Sequence, residues 1–326
     1  MQFLRKASLK GIKKAFVRAD LDVPLSDQGE VLEKYRLDAL IPTIKFLQDR
    51  KVHPIIAGHI GRPKDGYNPN LSTAQLADYF NSQLGAGFYT LLENLRFNPS
   101  ENPEASPKDR EKLANELASQ ADIYINESFA TCHRDATSIT LLPAKLPAYA
   151  GLRLEQELAG LSQVTEAKAS PKVAIVGGVK ESKKEAIHLL ADRFDQILVV
   201  GKLQKSSEDP DKNSVLYPVD YSGGGLDIGP KTSDIYSKIL FGAKTVIWAG
   251  PAGAYDQGYF EGSRQIAKAI IASKAYSIVG GGDTIACLNQ LKMLQDFDFV
   301  STGGGAMIDF LAGEELPGLK ALGYYE

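Results

Sequence analysis

Short apolar runs, each about one buried strand long, recur along the chain and alternate with stretches that space apolar residues three and four apart. In the first half the runs fall at residues 15–18, 52–57, 88–92 and 122–126. In the second half they fall at 173–176, 197–200, 215–218, 245–248, 276–279 and 298–301. Unbroken apolar runs of this length suit strands covered on both faces, as in a parallel sheet. Between them Leu37, Leu40, Ile41, Ile44 and Leu47 repeat at helical spacing, with Pro42 assigned to the first turn. Ser72 reads as an N-cap ahead of Leu76, Phe80 and Leu84, with Gly85 as the stop. Residues 109–121 predict a third helix, and 149–168 a helix leading out of the first half. Ser170 and Pro171 then open the second half. This alternation predicts an α/β protein with two doubly wound, Rossmann-like parallel-sheet domains joined by a hinge helix.

In such sheets ligands gather at the carboxyl ends of the strands. Asp20 and Asp22 follow the first predicted strand, with Arg36 further on. His59, Gly61 and Arg62 follow the second, Arg96 the third, and Cys132, His133 and Arg134 the fourth. A lone arginine is usually a solvated charge, but here topology brings several to one sheet edge. Arginine suits bidentate capture of carboxylate or phosphate.

The second half uses glycine instead. The runs at 276–279 and 298–301 lead to Gly280, Gly281 and Gly282, then Asp283 and Thr284, and to Gly303, Gly304 and Gly305. A strand that turns into a helix through glycines leaves backbone N–H groups and a positive helix end free for an anion. Two such turns on one edge predict a polyphosphate site, with Asp283 placed to hold a metal ion. Gly177, Gly178, Val179 and Lys180 follow the run at 173–176, with Lys183 and Lys184 opening a helix. Residues 223–232 (GGGLDIGPKT) superficially resemble a P-loop, but Pro230 breaks the required order. No glycine run fits the dinucleotide fingerprint either, which weakens an oxidoreductase reading.

Composition narrows the field. The 326 residues suffice for two domains, and net charge is −3 with pI about 5.9, which argues against a nucleic-acid partner. Arginine is concentrated before residue 160, with only Arg193 and Arg264 after it. The two cysteines, Cys132 and Cys287, have no metal or disulfide spacing and fit a reducing cytoplasm. No signal peptide or run of membrane-spanning length is visible, so no membrane partner is expected. The residues therefore describe a multiply anionic small substrate gripped by arginines, and a nucleotide held by backbone amides, lysine and a metal. Phosphoryl transfer after domain closure is the natural chemistry, because it needs positioning and charge neutralisation rather than a protein nucleophile.

Nine segments, in order, resemble the phosphoglycerate kinase family: VRADLDVPL, GHIGRP, LLENLRF, NESFATCHR, GGVKESKK, GLDIGPKT, WAGPAGAYD, GGGDT and STGGGA. The resemblance runs nearly end to end. It implies reversible transfer between 1,3-bisphosphoglycerate and ADP, giving 3-phosphoglycerate and ATP, with Mg²⁺. It implies a 3-phosphoglycerate-binding domain at 1–155, a nucleotide-binding domain at 156–315, and residues 316–326 folding back on the first. It places Asp20, Asp22, Arg36, His59, Arg62, Arg96 and Arg134 at the substrate. Arg62, Arg96 and Arg134 would grip the stable phosphate, and Arg36 would lie by the transferring group. Lys180 falls at the transfer-site lysine and Lys184 at a nucleotide-phosphate lysine. Gly178, Gly250, Gly280, Gly281, Gly282 and Thr284 would meet the nucleotide, Asp283 the metal, and Asp256 the ribose. Gly281 and Gly304 would donate N–H groups to the moving phosphoryl. Family members are usually monomers.

Four departures stand out. Asp22 replaces an asparagine and would repel an anion unless an arginine neutralises it. Ala249 replaces the asparagine of a WNGP motif. Gly201, Lys202 and Leu203 stand where a glycine-rich adenine pocket is usual, and Asp256 replaces a glutamate. The chain is also several tens of residues shorter than typical members, with gaps at 62–91, 201–219 and 220–225. Weakened adenine recognition is the expectation. A noncatalytic sensor of phosphorylated metabolites is the alternative that these departures favour.

Overall fold

The computed structural model describes residues 1–64, 66–178, 182–201 and 214–326, with the backbone alone for 182–184. The chain divides into two compact units. The first comprises residues 1–158 and 315–326, the second residues 159–314.

In the first unit the elements are β1 (Lys14–Arg18), α1 (Tyr35–Gln48), β2 (His53–Ala57), α2 (Ala77–Leu84), β3 (Thr90–Leu91), α3 (Pro107–Ala118), β4 (Ile123–Asn126), α4 (Thr137–Thr140) and β5 (Ala148–Ala150). α5 (Leu152–Thr165) begins in this unit and carries the chain into the second. Among the described residues the strands form a parallel sheet in the order β3-β2-β1-β4-β5. β1 sits in the middle, with Phe16 opposite Ile55 on one side and Tyr124 on the other. Ala15, Phe16 and Val17 are fully buried, as a strand covered on both faces requires. Leu37, Leu40, Ile41, Ile44 and Leu47 of α1 are buried against this sheet's core with Leu76, Phe80 and Leu84.

Local chemistry fixes several boundaries that periodicity alone does not. α1 starts at Tyr35 because the Glu33 carboxylate accepts the Tyr35 N–H at 2.8 Å. Pro42 therefore lies inside the helix rather than in its first turn, and its ring removes one backbone bond there. Ser72 caps a short 3₁₀ turn, Thr73–Leu76, that runs into α2, and Gly85 ends α2 at φ +84°. Ser106 accepts the Asp109 N–H, so the third helix starts at Pro107 and ends at Ala118, earlier than the predicted 109–121.

The predicted helix at 149–168 is corrected: residues to Ala150 belong to β5, and the helix starts at Leu152. Tyr149 and Ala150 run without a break into the helical spacing of Leu152, Leu154, Leu158 and Leu161, so the pattern alone does not separate strand from helix here. The break lies at Gly151, where a Cβ would sit 2.0 Å from the Glu127 carboxylate. That carboxylate accepts the Arg153 N–H at 3.0 Å and the Leu154 N–H at 3.2 Å, capping α5. Residues 315–326 pack within the first unit: Gly318 N–H donates to Cys132 O at 2.8 Å, and α11 (Pro317–Lys320) buries Leu319.

The second unit contains β6 (Lys172–Gly178), α6 (Ser182–Leu190), β7 (Gln196–Gly201), β8 (Val215–Leu216), β9 (Tyr221–Ser222), β10 (Asp227–Ile228) and α7 (Pro230–Gly242). It continues with β11 (Thr245–Ala249), α8 (Glu261–Ser273), β12 (Tyr276–Gly280), α9 (Gly282–Gln290), β13 (Phe299–Ser301) and α10 (Gly305–Ala312). Its parallel sheet has the order β13-β12-β11-β6-β7-β8 among the described residues. β9 and β10 form a small antiparallel hairpin that the apolar pattern does not announce. Gly223, Gly224 and Gly225 make its turn with φ of +58°, +68° and +90°. This third glycine triplet thus shapes a hairpin, whereas the other two join a strand to a helix.

Candidate functional site

In the first unit the segments after β1, β2 and β3 are laced together by buried hydrogen bonds. Leu95 N–H donates to Gly58 O at 2.9 Å, and Asn94 Nδ2 donates to Ile60 O at 2.8 Å. Arg96 Nη1 donates to Gly61 O at 2.7 Å, and Gly61 N–H donates to Asp22 Oδ1 at 2.8 Å. Arg36 reaches back from α1: Nη1 donates to Asp22 O at 2.7 Å, and Nε lies 3.4 Å from Asp20 Oδ2. His59 Nε2 lies 3.7 Å from Asp22 Oδ2. Asp20, Asp22, Arg36 and His59 are therefore in direct contact.

Arg62, Arg96 and Arg134 join the same cluster through their charges. Burial holds the Arg96 guanidinium below its ordinary range, and Arg18, Arg62 and Arg134 push it the same way against Asp22. His133 is lowered to about 4 by burial and by Arg134, Arg96 and Arg62. Guanidiniums that repel one another in a partly buried cluster set up a field that an anion would relieve.

Asp22 does not spoil this field. Burial pushes it up, but the His59 contact, the Gly61 N–H and Arg36 together hold it well below the usual carboxylate range. Its charge is already spent on protein groups. Asp20 is raised by burial, with Arg36 opposing. His59 is lowered to about 4, chiefly by burial, so the ring is neutral at pH 7.

Sequence reading missed Arg18, Glu101 and Ser138, which are 2%, 2% and 0% exposed. Arg18 Nε donates to Ser138 Oγ at 2.8 Å, and Ser138 Oγ donates to Glu101 Oε1 at 2.6 Å. A charged residue closing an otherwise apolar strand was the available signal for Arg18.

In the second unit a cavity of about 440 Å³ lies at the carboxyl ends of the strands. Gly178, Gly250, Asp256, Gly281, Gly282, Asp283 and Thr284 line it. Backbone crowding explains two of the glycines at this edge. A Cβ on Gly250, at φ +112°, would sit 2.1 Å from Gly177 O, and one on Gly304 would sit 3.2 Å from the Gly281 Cα. The two strand–helix glycine turns therefore abut each other. Gly282 and Asp283 are exposed at the start of α9. Thr284 is buried, and its Oγ1 accepts the Gly250 N–H at 2.7 Å, tying α9 to β11. Gly280 lies beneath the turn, against Met307 and Gly303 O. Asp227, also missed from sequence, is buried and accepts the Gly262 N–H at 2.9 Å, capping α8. Ala254 N–H donates to Leu226 O at 2.8 Å, which fixes the loop that carries Asp256. Lys180 and the side chain of Lys184 lie outside the described residues, as do Lys202 and Leu203.

Among the described residues no group of three or more His, Cys, Asp or Glu side chains could hold a metal. Asp283, one of two exposed carboxylates lining this cavity with Asp256, stands at the start of α9 and suits Mg²⁺, which usually keeps waters and takes one or two carboxylates plus substrate phosphates.

The family model described as phosphoglycerate kinase matches residues 4–89, 80–207 and 204–314. The chain belongs to the phosphoglycerate kinase family. The curated phosphoglycerate kinase of Leptospira biflexa is 33% identical, with 99% of this chain and 98% of that protein aligned. That of Aquifex aeolicus is 33% identical over 98% of this chain and 97% of the relative. The alignment to the Leptospira protein spans 395 positions against 326 residues here, so at least 69 of its positions have no counterpart in this chain. Among solved structures, phosphoglycerate kinase from Pyrococcus horikoshii aligns with TM-score 0.85 at 26% identity, covering 99% of this chain and 98% of that one. The enzyme from Coxiella burnetii aligns with TM-score 0.78 at 29% identity over the same shares. The two-sheet Rossmann-like architecture is thus that of the phosphoglycerate kinase family.

Proposed function

We propose that the chain catalyses reversible phosphoryl transfer between 1,3-bisphosphoglycerate and ADP, giving 3-phosphoglycerate and ATP. Membership of the phosphoglycerate kinase family carries this reading, and the two anion-binding clusters support it. In the first unit Arg62, Arg96 and Arg134 hold the stable phosphate of the glycerate, and His59 and Asp20 orient its body. Arg36 offsets charge on the transferring group. In the second unit the Gly280–Gly282 and Gly303–Gly305 turns cradle nucleotide phosphates, with Gly281 and Gly304 nearest the moving group. Lys180 and Lys184 take the family's phosphate-binding places, and Asp256 faces the ribose. Transfer needs the two substrates in line and within bonding reach, so turnover includes a hinge movement that brings the units' ligands together.

Asp283 holds Mg²⁺. When bound, the ion neutralises phosphate charge and fixes the nucleotide's geometry. Asp283→Asn is expected to raise the Mg²⁺ concentration needed for half-maximal rate by roughly tenfold or more, since a metal-ligating carboxylate becomes a neutral amide. An unchanged Mg²⁺ requirement would remove Asp283 from this role.

Ala249 is 1% exposed at the end of β11 and offers no polar side chain to a nucleotide. We therefore read base recognition as loose. The test is a coupled assay with 3-phosphoglycerate, Mg²⁺ and ATP, GTP or ITP. Turnover with kcat/KM values within about tenfold of one another, a gap of roughly 1.4 kcal/mol, supports both readings. Strict ATP preference would count against loose recognition, and binding without turnover would point to a metabolite sensor instead. The reading extends to the cytoplasm, supported by two buried free thiols, and to a monomer, the usual state that the family resemblance implies.

A further inference from the structure

Arg18 ends β1, the middle strand of the first unit's sheet, yet its guanidinium is turned inward and is 2% exposed. Its fork has three distinct faces. Nε donates to Ser138 Oγ at 2.8 Å, Nη1 donates to Ala19 O at 2.6 Å, and Nη2 lies 3.5 Å from His59 Nδ1. Ser138 is locked from the other side. Its Oγ donates to Glu101 Oε1 at 2.6 Å, its N–H donates to Glu101 Oε2 at 3.0 Å, and its carbonyl accepts from Tyr124 OH at 2.9 Å. A hydroxyl has one proton and two lone pairs. With the proton committed to Glu101, a lone pair is left to face Arg18, so the chain of donors has one consistent direction. Burial raises the Glu101 carboxyl, and Arg18 and the two Ser138 hydrogen bonds oppose that rise, so guanidinium and carboxylate each offset the other's burial through Ser138.

We propose that Arg18, held by Ser138 and Glu101, is a positioning residue that fixes His59 as the neutral tautomer carrying its proton on Nε2. A guanidinium has only N–H donors and does not deprotonate in proteins. Where Nη2 faces Nδ1, that nitrogen must present its lone pair. The ring proton then sits on Nε2, which faces the Asp22 carboxylate at 3.7 Å. Protonating Nδ1 instead would set two N–H groups head to head in a buried site. The charged groups facing the ring are Arg18 on β1, Asp22 in the segment after β1 and Arg96 after β3. Burial with Arg18 and Arg96 keeps the ring neutral, and Asp22 opposes them.

The consequence is a ring held in one orientation, its single N–H aimed at Asp22, so that this carboxylate's charge is covered beside the oxygen-rich ligand of the cluster. This kinetic consequence rests on the cluster being the 3-phosphoglycerate site; the tautomer itself does not. Two separable measurements follow on the full chain.

In ¹⁵N-histidine-labelled protein at pH 7, with His59 assigned through His59→Asn, two-bond N–H correlations are expected to show the Nε2–H pattern. In Arg18→Met the fixed pattern is expected to give way to a tautomer mixture, with the His59 midpoint raised by about one unit or more. Ser138→Ala, which removes only the hydroxyl and guards against a folding failure in Arg18→Met, should shift both in the same direction by less. In the kinase assay each variant should raise KM for 3-phosphoglycerate, by about tenfold for Arg18→Met, with kcat changed by less than about threefold. An Nδ1–H or imidazolium signal from wild-type His59 at pH 7 would overturn the proposal, as would an unmoved tautomer and midpoint in both variants. The expected spectra from a chain with no kinase turnover would leave the tautomer standing and overturn the functional reading instead.

Discussion

Arg36→Ala is expected to lower kcat by roughly 10³-fold while KM for 3-phosphoglycerate moves far less, because a charge aimed at the transferring group acts mainly in the transition state. The structure adds a second effect. Arg36 lies against Asp20 and Asp22, and the Asp20 side chain is 5% exposed. Removing the guanidinium strands a buried carboxylate, which then takes up a proton more readily than before, since Arg36 is the main influence opposing burial at Asp20. Truncating one partner of a mostly buried pair costs about 3 kcal/mol. The kinetic comparison therefore belongs at a temperature well below the variant's unfolding midpoint. Arg36→Lys keeps the charge but not the fork and should recover only part of kcat. A kcat within threefold of wild type for the alanine variant would refute the assigned role.

Gly250→Ala is expected to be the most damaging small substitution in the second unit. At φ +112° any Cβ is strained, and this one would sit 2.1 Å from Gly177 O and 2.4 Å from its carbonyl carbon. The obstacle is backbone at the end of β6, not a side chain that can rotate away. Left-handed strain and overlap together should cost about 4 kcal/mol or more, lowering the unfolding midpoint by about 10 °C in a unit of this size. Gly224→Ala is the control. It also has positive φ, +68°, but nothing lies within 4 Å of its Cβ position. Its expected cost is only about 1 kcal/mol. Equal midpoints for the two variants would mean that the close approach of β6 and β11 is not what requires Gly250.

The comparison of these glycines shows what a sequence discloses. The central strands were legible because β1, β4, β6, β7, β11 and β12 are buried on both faces and so read as unbroken apolar runs. β5 and the β9–β10 hairpin were not: β5 runs straight into the helical spacing that follows it, and the hairpin strands flank a glycine triplet without an apolar run on either side. The triplets at 280–282 and 303–305 were readable as strand–helix turns from their flanks, while the triplet at 223–225 makes a hairpin. Pro42 was misplaced because Glu33, upstream of the apolar repeat, decides where α1 begins.

The candidate site divides in the same way. Arginines and carboxylates at strand ends announce themselves, because topology alone carries them to one edge. Ser138 and Glu101 do not, and neither does the inward turn of Arg18, since Arg18 and Ser138 are 120 residues apart and meet only when the sheet forms. Asp22 is the instructive intermediate. The sequence shows an acid where an anion should bind. Only the fold shows that Gly61 N–H, His59 and Arg36 have already claimed its charge.

The central claim is that a guanidinium cluster and an amide cradle serve one direct phosphoryl transfer with no protein nucleophile between them. A single-turnover rapid-quench experiment with γ-³²P-ATP, Mg²⁺ and 3-phosphoglycerate in enzyme excess tests it most directly. Label is expected to pass from ATP to the acyl phosphate of 1,3-bisphosphoglycerate, with no labelled protein at any time. A labelled protein that forms and decays at the rate of transfer, or both substrates bound with no label moved, would contradict it.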